Sequence, residues 1–319
     1  MNPVAKAALG SPVPPPSTAL RGVLRLDEPM DRHVSWRAGG RAKLFYQPAD
    51  VEDLQAFLAA RPPGEAILFV GLGSNLLVRD GGFDGAVVYT HHALGGIRAA
   101  GSLDSRRAFV AGGGVPAPHL ARFVARHDCE GAEWLAGIPG TVGGALAMNA
   151  GCYGGETWES VVDVTTVDRA GVLRVRTRED YDIGYRQVVK HVAGDEWFVA
   201  GTFAFSPGDR DKAMARMKAL LERRVATQPL SLPNAGSVFR NPPAEHAARL
   251  IESCGLKGYT VGGAQVSPKH ANFIVNTGTA SAADIEAVID HVQATVMAGT
   301  GFALEREVRI VGRRRGTHG

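Results

Sequence analysis

Residues 138–151 read IPGTVGGALAMNAG, a stretch that presents bare backbone to whatever lies against it. Gly140, Gly143 and Gly144 carry no Cβ, so the chain there can approach a ligand closely and visit φ > 0. Ala145, Ala147 and Ala150 keep the surroundings small, while Thr141, Asn149 and Gly151 add a hydroxyl, an amide and one more open backbone position. Residues 71–77, GLGSNLL, repeat the pattern about seventy residues earlier, directly after the apolar run Ile67, Leu68, Phe69, Val70. A strand that runs into a glycine turn bearing Ser74 and Asn75 gathers backbone N–H groups around an anion. Two such loops point to one large diphosphate ligand held from two sides. The dinucleotide fingerprint of the Rossmann fold is excluded, because its third glycine would stand at position 76, where this chain has Leu76. No phosphate loop ending in Gly-Lys-Ser/Thr occurs.

The chain has 319 residues, enough for two or three domains. Its 35 basic and 32 acidic residues leave a net charge of +3, too slight to argue for a nucleic-acid partner. The three cysteines (Cys129, Cys152, Cys254) are odd in number and form no C-x-x-C pair, which favours reduced thiols in a cytosol over disulfides or a metal site. No apolar run approaches twenty residues, so no membrane span is expected. Residues 1–22 are rich in proline and alanine without a signal core and read as a disordered arm. The basic cluster Arg313, Arg314 and Arg315 reads as solvated, with 314–319 taken as a basic tail.

Val51, Leu54, Phe57 and Leu58 predict a helix over 50–60, stopped by Pro62, Pro63 and Gly64. Residues 67–70, 107–111, 161–167, 171–177 and 197–205 read as strands. Met214, Met217, Leu221 and Val225 share one face of a helix over 211–225, and the main domain boundary is placed between Pro207 and Pro233. Further on, Ala247, Leu250, Ile251 and Cys254 make a helical stripe ended by Gly255, and 271–276 reads as a strand. Ser281 and Asp284 cap a helix carrying Ile285, Val288, Ile289, Val292 and Val296, broken at Gly299 or Gly301. A last strand over 305–311 puts Glu305, Glu307 and Arg309 on one face and Arg306, Val308 and Ile310 on the other.

Two further segments give those charges meaning. Gly184-Tyr185-Arg186 follows the acidic pair Asp180 and Asp182, and residues 234–242, NAGSVFRNP, set Ser237 beside Gly236. Ser237 is not in a Gly-x-Ser-x-Gly elbow, which removes support for a hydrolase. On spacing alone, Ser237 serves equally as a turn hydroxyl, Arg186 as a surface ion pair and Glu307 as a ladder residue.

In order along the chain stand RxGG (37–40), GLGSNLL (71–77), IPGTVGGALAMNAG (138–151), GYR (184–186), NAGSVFRNP (234–242), GGAQVSPKHANFIVN (262–276) and LEREVRIVG (304–312). This series resembles the UDP-N-acetylenolpyruvoylglucosamine reductases, flavoenzymes of bacterial peptidoglycan synthesis, from about residue 37 to residue 312. The resemblance implies an α+β chain: a two-lobed FAD-binding domain of the vanillyl-alcohol-oxidase type over 23–208 and a C-terminal substrate domain over 209–313. FAD is expected to bind non-covalently to both glycine loops, Leu76 included, and to Arg37 and Gly39 of RxGG. NADPH would reduce it and leave, and the UDP-sugar would enter the same pocket. The reaction would be reduction of an enolpyruvyl ether of UDP-N-acetylglucosamine to the lactyl ether of UDP-N-acetylmuramate.

Hydride addition β to the substrate carboxylate builds charge on an enolate, which fixed donors must meet in a shielded site. By resemblance Arg186 does this, oriented by Glu307, and Ser237 delivers the proton to the α carbon. A hydroxyl is a poor acid at neutral pH, so it must be well polarised or the enolate strongly basic. Tyr185, Gln265, Asn241, Lys269 and Arg309 are the expected substrate contacts. The family's Glu-Pro-Glu is Glu305-Arg306-Glu307 here, and the second carboxylate is taken as the acting one. Val188 stands where a serine is common and Ser35 where a threonine is. About thirty residues separate Phe205 from Ser237, which leaves no room for a tyrosine-loop insertion and marks the shorter branch. A cytosolic enzyme serving cell shape and division follows from the resemblance, and a monomer is compatible with it. The alternatives are another flavin oxidoreductase of this fold, such as a carbohydrate oxidase, or a non-catalytic nucleotide-binding module. His91, His92 and His119 carry no motif for flavin attachment.

Overall fold

The computed structural model describes residues 19–316. The first lobe is formed by β1 (Val23–Pro29), β2 (Arg41–Gln47), α1 (Val51–Ala59), β3 (Ile67–Val70), β4 (Leu76–Val78) and β5 (Phe83–Tyr89). Four of these strands form a sheet in the order β1-β2-β5-β3, with β2, β5 and β3 parallel and β1 antiparallel on the edge. Asp50 caps α1 by accepting from the Asp53 N–H. Leu54, Phe57 and Leu58 of α1 pack with Tyr46, Ala86 and Val88 on one face of the sheet. Met30, Val34, Phe45, Leu68 and Val87 fill the other. β5 is covered on both faces and so shows a continuous buried run rather than alternation, which is why it escaped a period-two reading.

The second lobe comprises β6 (Ile97–Leu103), β7 (Arg106–Gly112), α2 (Ala117–Arg126), β8 (Cys129–Glu130), α3 (Val142–Met148), β9 (Gly151–Cys152), β10 (Gly155–Glu156), β11 (Val161–Asp168), β12 (Leu173–Arg176), β13 (Tyr181–Gly184), β14 (Gln187–Lys190) and β15 (Glu196–Pro207). Its antiparallel sheet runs β12-β11-β15-β7-β6, with β8 pairing the end of β15. α2 and α3 lie over a core of Phe109, Leu120, Val124, Leu146, Trp158 and Phe203. The hairpin β13–β14 stands off this sheet as a separate two-stranded unit.

Helix α4 (Arg210–Thr227) follows, then α5 (Ala247–Ser253), β16 (Thr260–Val261), β17 (Ala264–Val266), β18 (Ile274–Asn276), α6 (Ala282–Thr300) and β19 (Arg309–Val311). β16, β17 and β18 form a small antiparallel sheet, covered by α6 through Ile285, Val288, Ile289, Val292 and Val296. Ser281 and Asp284 form a reciprocal capping box at the start of α6, and Gly301, at φ 75°, ends it. β19 then leaves this domain and pairs in parallel with β4 of the first lobe.

Five expectations are corrected. α4 does not open the C-terminal domain at 209: its buried residues, Ala213 and Met217, belong to the second lobe's core. Met214 and Val225 of the expected stripe are exposed. The chain is already packed at residue 21, where the Arg21 N–H donates to Asp53 and the guanidinium pairs with Asp50. Residues 1–18 of the expected arm lie outside the described residues. The basic segment is not a free tail, because Arg313 pairs with Asp84 at 2.6 Å and Arg314 with Glu286 at 2.9 Å. Finally, the last strand begins only at Arg309, so the alternation expected from Glu305 to Glu307 does not hold.

Candidate active site

The two glycine loops converge. A Cβ on Gly71 would sit 2.3 Å from Thr141 Oγ1, and one on Gly140 would sit 3.4 Å from Ser74 Oγ. Gly73 has φ +59°, and a Cβ there would meet the His33 carbonyl oxygen at 2.2 Å. Only glycine fits that position. Among the described residues, the N–H groups of residues 71–75 donate to no protein acceptor. Five consecutive free donors opposite a second bare loop are the environment a diphosphate requires.

The other half of the expected cradle is arranged differently. Thr141 caps α3 by accepting from the Gly144 N–H at 3.4 Å, the Val142 N–H donates to Val115 and the Gly143 N–H to Gly113, both at 2.8 Å. Gly143 and Gly144 therefore serve packing and capping; Gly140 and Thr141 are the positions of this stretch that face the first loop. Leu76 is a core residue of the first lobe. Asn75 turns its amide away from the loop, donating to the Glu307 carbonyl oxygen at 3.0 Å. Arg37 lies at the seam with the C-terminal domain, where Asn276 donates to the Trp36 carbonyl at 2.9 Å and to the Arg37 carbonyl at 3.5 Å, while Gly39 bridges Val78 within the first lobe.

Asn149 is a pin rather than a ligand contact. It ends α3 in the left-handed region at φ 43°, is 2% exposed, and all its polar groups are occupied. Its amide donates to Glu156 Oε2 at 2.8 Å and to the Gly184 carbonyl at 3.1 Å, and its Oδ1 accepts from the Trp158 N–H at 3.1 Å. It thereby docks the β13–β14 hairpin on α3. Arg186 stands at the tip of that hairpin, also in the left-handed region at φ 56°. A non-glycine residue held there stores about 1–2 kcal/mol of strain, a feature that concentrates at functional positions.

From that tip the Arg186 guanidinium reaches back into the molecule. Its Nε donates to Glu307 Oε1 at 3.0 Å and its Nη2 to the Gly151 carbonyl at 2.8 Å. Gly151 thus holds Arg186, and its missing Cβ admits the Gly155 carbonyl. Glu307 is placed from the opposite side: its N–H donates to the carbonyl of Val238, the residue that follows Ser237, at 2.8 Å. Burial pushes the Glu307 carboxyl above its ordinary range, against the pull of Arg186 and Arg240. Glu305, by contrast, is exposed and pairs with Arg240 at 3.6 Å. The two carboxylates of Glu305-Arg306-Glu307 thus stand in different surroundings, the second facing Arg186 and the first facing solvent.

The remaining expected contacts are scattered. Tyr185 is half-exposed, with the Arg186 guanidinium 5.2 Å from its ring. Asn241 caps α5 through the Ala247 N–H at 3.1 Å, Lys269 donates to the Val225 carbonyl at 2.6 Å, and Gln265 to Thr260 Oγ1 at 3.1 Å. Arg309 is exposed at the start of β19, beside Asn75. The sequence reading passed over Arg240, although it stands within the same motif as Ser237.

Two converging bare loops beside a largely buried carboxylate–guanidinium pair suit a diphosphate-bearing cofactor, which the matched families make FAD, so the chain is a flavin-dependent oxidoreductase. Residues 42–176 match the model of the FAD binding domain, and residues 228–311 match that of the UDP-N-acetylenolpyruvoylglucosamine reductase C-terminal domain. The chain belongs to the UDP-N-acetylenolpyruvoylglucosamine reductase family. It is 55% identical over 302 residues to the reductase of Nitrosomonas eutropha, covering 93% of this chain and 91% of that protein. To the reductase of Methylococcus capsulatus it is 55% identical over 294 residues, covering 92% and 94%. The crystal structure of the Thermus caldophilus enzyme superposes with a TM-score of 0.74 at 30% identity, over 92% of this chain and 99% of that one.

Proposed function

We propose that this chain catalyses NADPH-dependent reduction of the enolpyruvyl ether of UDP-N-acetylglucosamine to UDP-N-acetylmuramate, in peptidoglycan precursor synthesis. The observation that carries the reading is the meeting of Arg186, Glu307 and the Ser237 segment beside two converging bare loops. The N–H groups of residues 71–75, with Gly140 and Thr141, would hold the FAD diphosphate, and the flavin would supply hydride chemistry with NADPH as reductant.

The protein's own residues supply the rest. Hydride addition to the substrate leaves negative charge on its enolate and carboxylate, and the Arg186 guanidinium meets that charge. Glu307 keeps the guanidinium in line, and the burial of this pair keeps water from competing for it. Ser237 gives a proton to the α carbon, completing the lactyl ether. Tyr185, Gln265, Asn241, Lys269 and Arg309 are the candidate contacts to the sugar nucleotide. The three unpaired cysteines suit a reducing compartment, and no helix among the described residues is long and apolar enough to cross a membrane. A cytosolic enzyme supporting cell shape and division is the corresponding cellular reading.

Anaerobic rapid mixing tests it. The bound flavin should bleach with NADPH and recover on adding UDP-N-acetylglucosamine enolpyruvate. Bleaching followed by recovery only with oxygen would overturn the substrate assignment and favour an oxidase of the same fold.

A further inference from the structure

Arg240 lies three residues past Ser237 and touches both other catalytic segments. Its N–H donates to the Glu305 carbonyl at 2.9 Å, and the adjoining Phe239 bridges Arg306, so residues 238–240 run antiparallel to residues 305–308. Its side chain crosses to the hairpin: Nη2 donates to the main-chain carbonyl of Arg186 at 3.2 Å. Nη1 lies 3.6 Å from the exposed Glu305 carboxylate. Its Nε is buried without a hydrogen-bond partner. A buried unpaired donor is destabilising, and such groups persist where function needs the side chain.

We infer that Arg240 is a positioning residue: it ties the left-handed tip of the β13–β14 hairpin to the strand pair that carries Ser237 and Glu307. The inference rests on the reductase reading above. Without this tie, the tip is held beside Arg186 by the Asn149 contact to Gly184 and by Ile183 and Val188 packed on the second lobe's core, with nothing joining its backbone to the strand pair of Ser237 and Glu307 but the Arg186 side chain. The guanidinium would still find Glu307, but the distance between the charge it presents and the Ser237 hydroxyl would vary. Arg240 has a second, electrostatic effect. The charged groups facing Glu307 are Arg186 from the hairpin and Arg240 from the 236–242 segment. The neighbouring side chains turn elsewhere, Glu305 to Arg240 and Arg306 to Asp290. Removing one of two cations raises the pH at which Glu307 protonates.

The test compares Arg240→Met and Arg240→Lys holoenzymes with the wild type in the two half-reactions, followed separately by flavin absorbance. In Arg240→Met, bleaching by NADPH should proceed at the wild-type rate. Recovery with UDP-N-acetylglucosamine enolpyruvate should slow by about 10- to 100-fold, the scale of an ångström-level misplacement, and its acid limb should move to higher pH. Arg240→Lys, which can still donate to the carbonyl and keeps the charge, should recover most of the rate and restore the acid limb. A uniform loss in both half-reactions, or recovery at the wild-type rate with an unmoved acid limb, overturns the positioning role. If Arg240→Met fails to retain flavin, the Arg240→Lys profile decides alone: an acid limb and rate like the wild type support the role, and a Met-like loss refutes it. Failure of the wild-type protein itself to be reoxidised by the sugar nucleotide would instead overturn the reductase reading, so the two failures are distinct.

Discussion

Glu307 and Asn149 show how differently two polar residues in one small volume are used. Glu307 is largely buried and hydrogen-bonded to the Arg186 guanidinium at 3.0 Å, with Arg240 as a second cation facing it, so its protonation is coupled directly to the alignment of Arg186. Burial raises the pH at which it takes up a proton. The ionised form is the one that orients Arg186, so reduction of the sugar nucleotide should decline as pH falls through a limb above the ordinary carboxylate range. Glu307→Gln should lose that limb and run at a low, pH-independent rate, checked by pH profiles of flavin reoxidation. Asn149→Ala should leave the Gly184 carbonyl, Glu156 and the Trp158 N–H without their partner. A loss of about 2–3 kcal/mol of stability is expected, measurable by urea unfolding. Arg186, Ser237 and Glu307 were legible in the chain because their motifs occur in family order. The role of Asn149 was not, because its three partners come from three other elements and no local spacing announces them.

The glycine-rich loops make a sharper distinction than their composition does. Gly140 has an ordinary φ and room for a Cβ at 3.4 Å from Ser74 Oγ, whereas Gly143 would press on the Gly113 carbonyl at 3.0 Å. Gly140→Ala should therefore fold normally yet bind FAD on the order of tenfold more weakly, about 1.4 kcal/mol. Gly143→Ala should lose thermal stability first. Flavin-fluorescence titration of apoprotein together with melting curves separates the two, and equal behaviour of the variants would refute the division of labour. Both loops could be located in the sequence, since runs of residues without Cβ stand out. What could not be read was which N–H groups are already taken, because Gly113 and Val115 come from a neighbouring turn. The same limit explains α4. Its apolar face was visible, but its buried residues, Ala213 and Met217, and its ion pairs from Arg216 to Glu130 and Glu133 all meet the second lobe, so the helix belongs to that lobe rather than to the domain it precedes. The strands of the β13–β14 hairpin were not read, although its tip was, because each is only four residues long.

The proposed catalytic groups come from different lobes of the molecule, so their alignment depends on the seam between the first lobe and the C-terminal domain. Arg79 of the first lobe donates two hydrogen bonds to Glu286 of α6, both at 2.9 Å, and Arg314 adds a third at 2.9 Å. Asp80 accepts from the N–H groups of Ala282 and Ala283 at the start of the same helix. Trp36 donates across the seam to the Ile274 carbonyl at 2.7 Å. Arg79, then Arg314, pull the Glu286 carboxyl down to about 2 from an ordinary value of 4.5. Since the folded value is the lower one, the stabilisation is complete above about pH 4.5 and is lost as pH falls towards 2. Glu286→Gln should melt well below the wild type at pH 7 and converge with it in strong acid; parallel melting curves at every pH would contradict this. A two-domain organisation was evident from the chain, but the return of β19 to β4 was not, because three residues of parallel pairing leave no periodic signature. That return carries Glu307 to the hairpin and, through Val238, to Ser237. The proposal that these three act on one substrate is tested most directly with Ser237→Ala, reduced by NADPH and then mixed anaerobically with UDP-N-acetylglucosamine enolpyruvate. Bleaching at the wild-type rate with reoxidation slowed about 10²- to 10³-fold, the cost of removing one transition-state hydrogen-bonding group, is the predicted result. Reoxidation at the wild-type rate would remove Ser237 from the mechanism and contradict the proposed proton transfer.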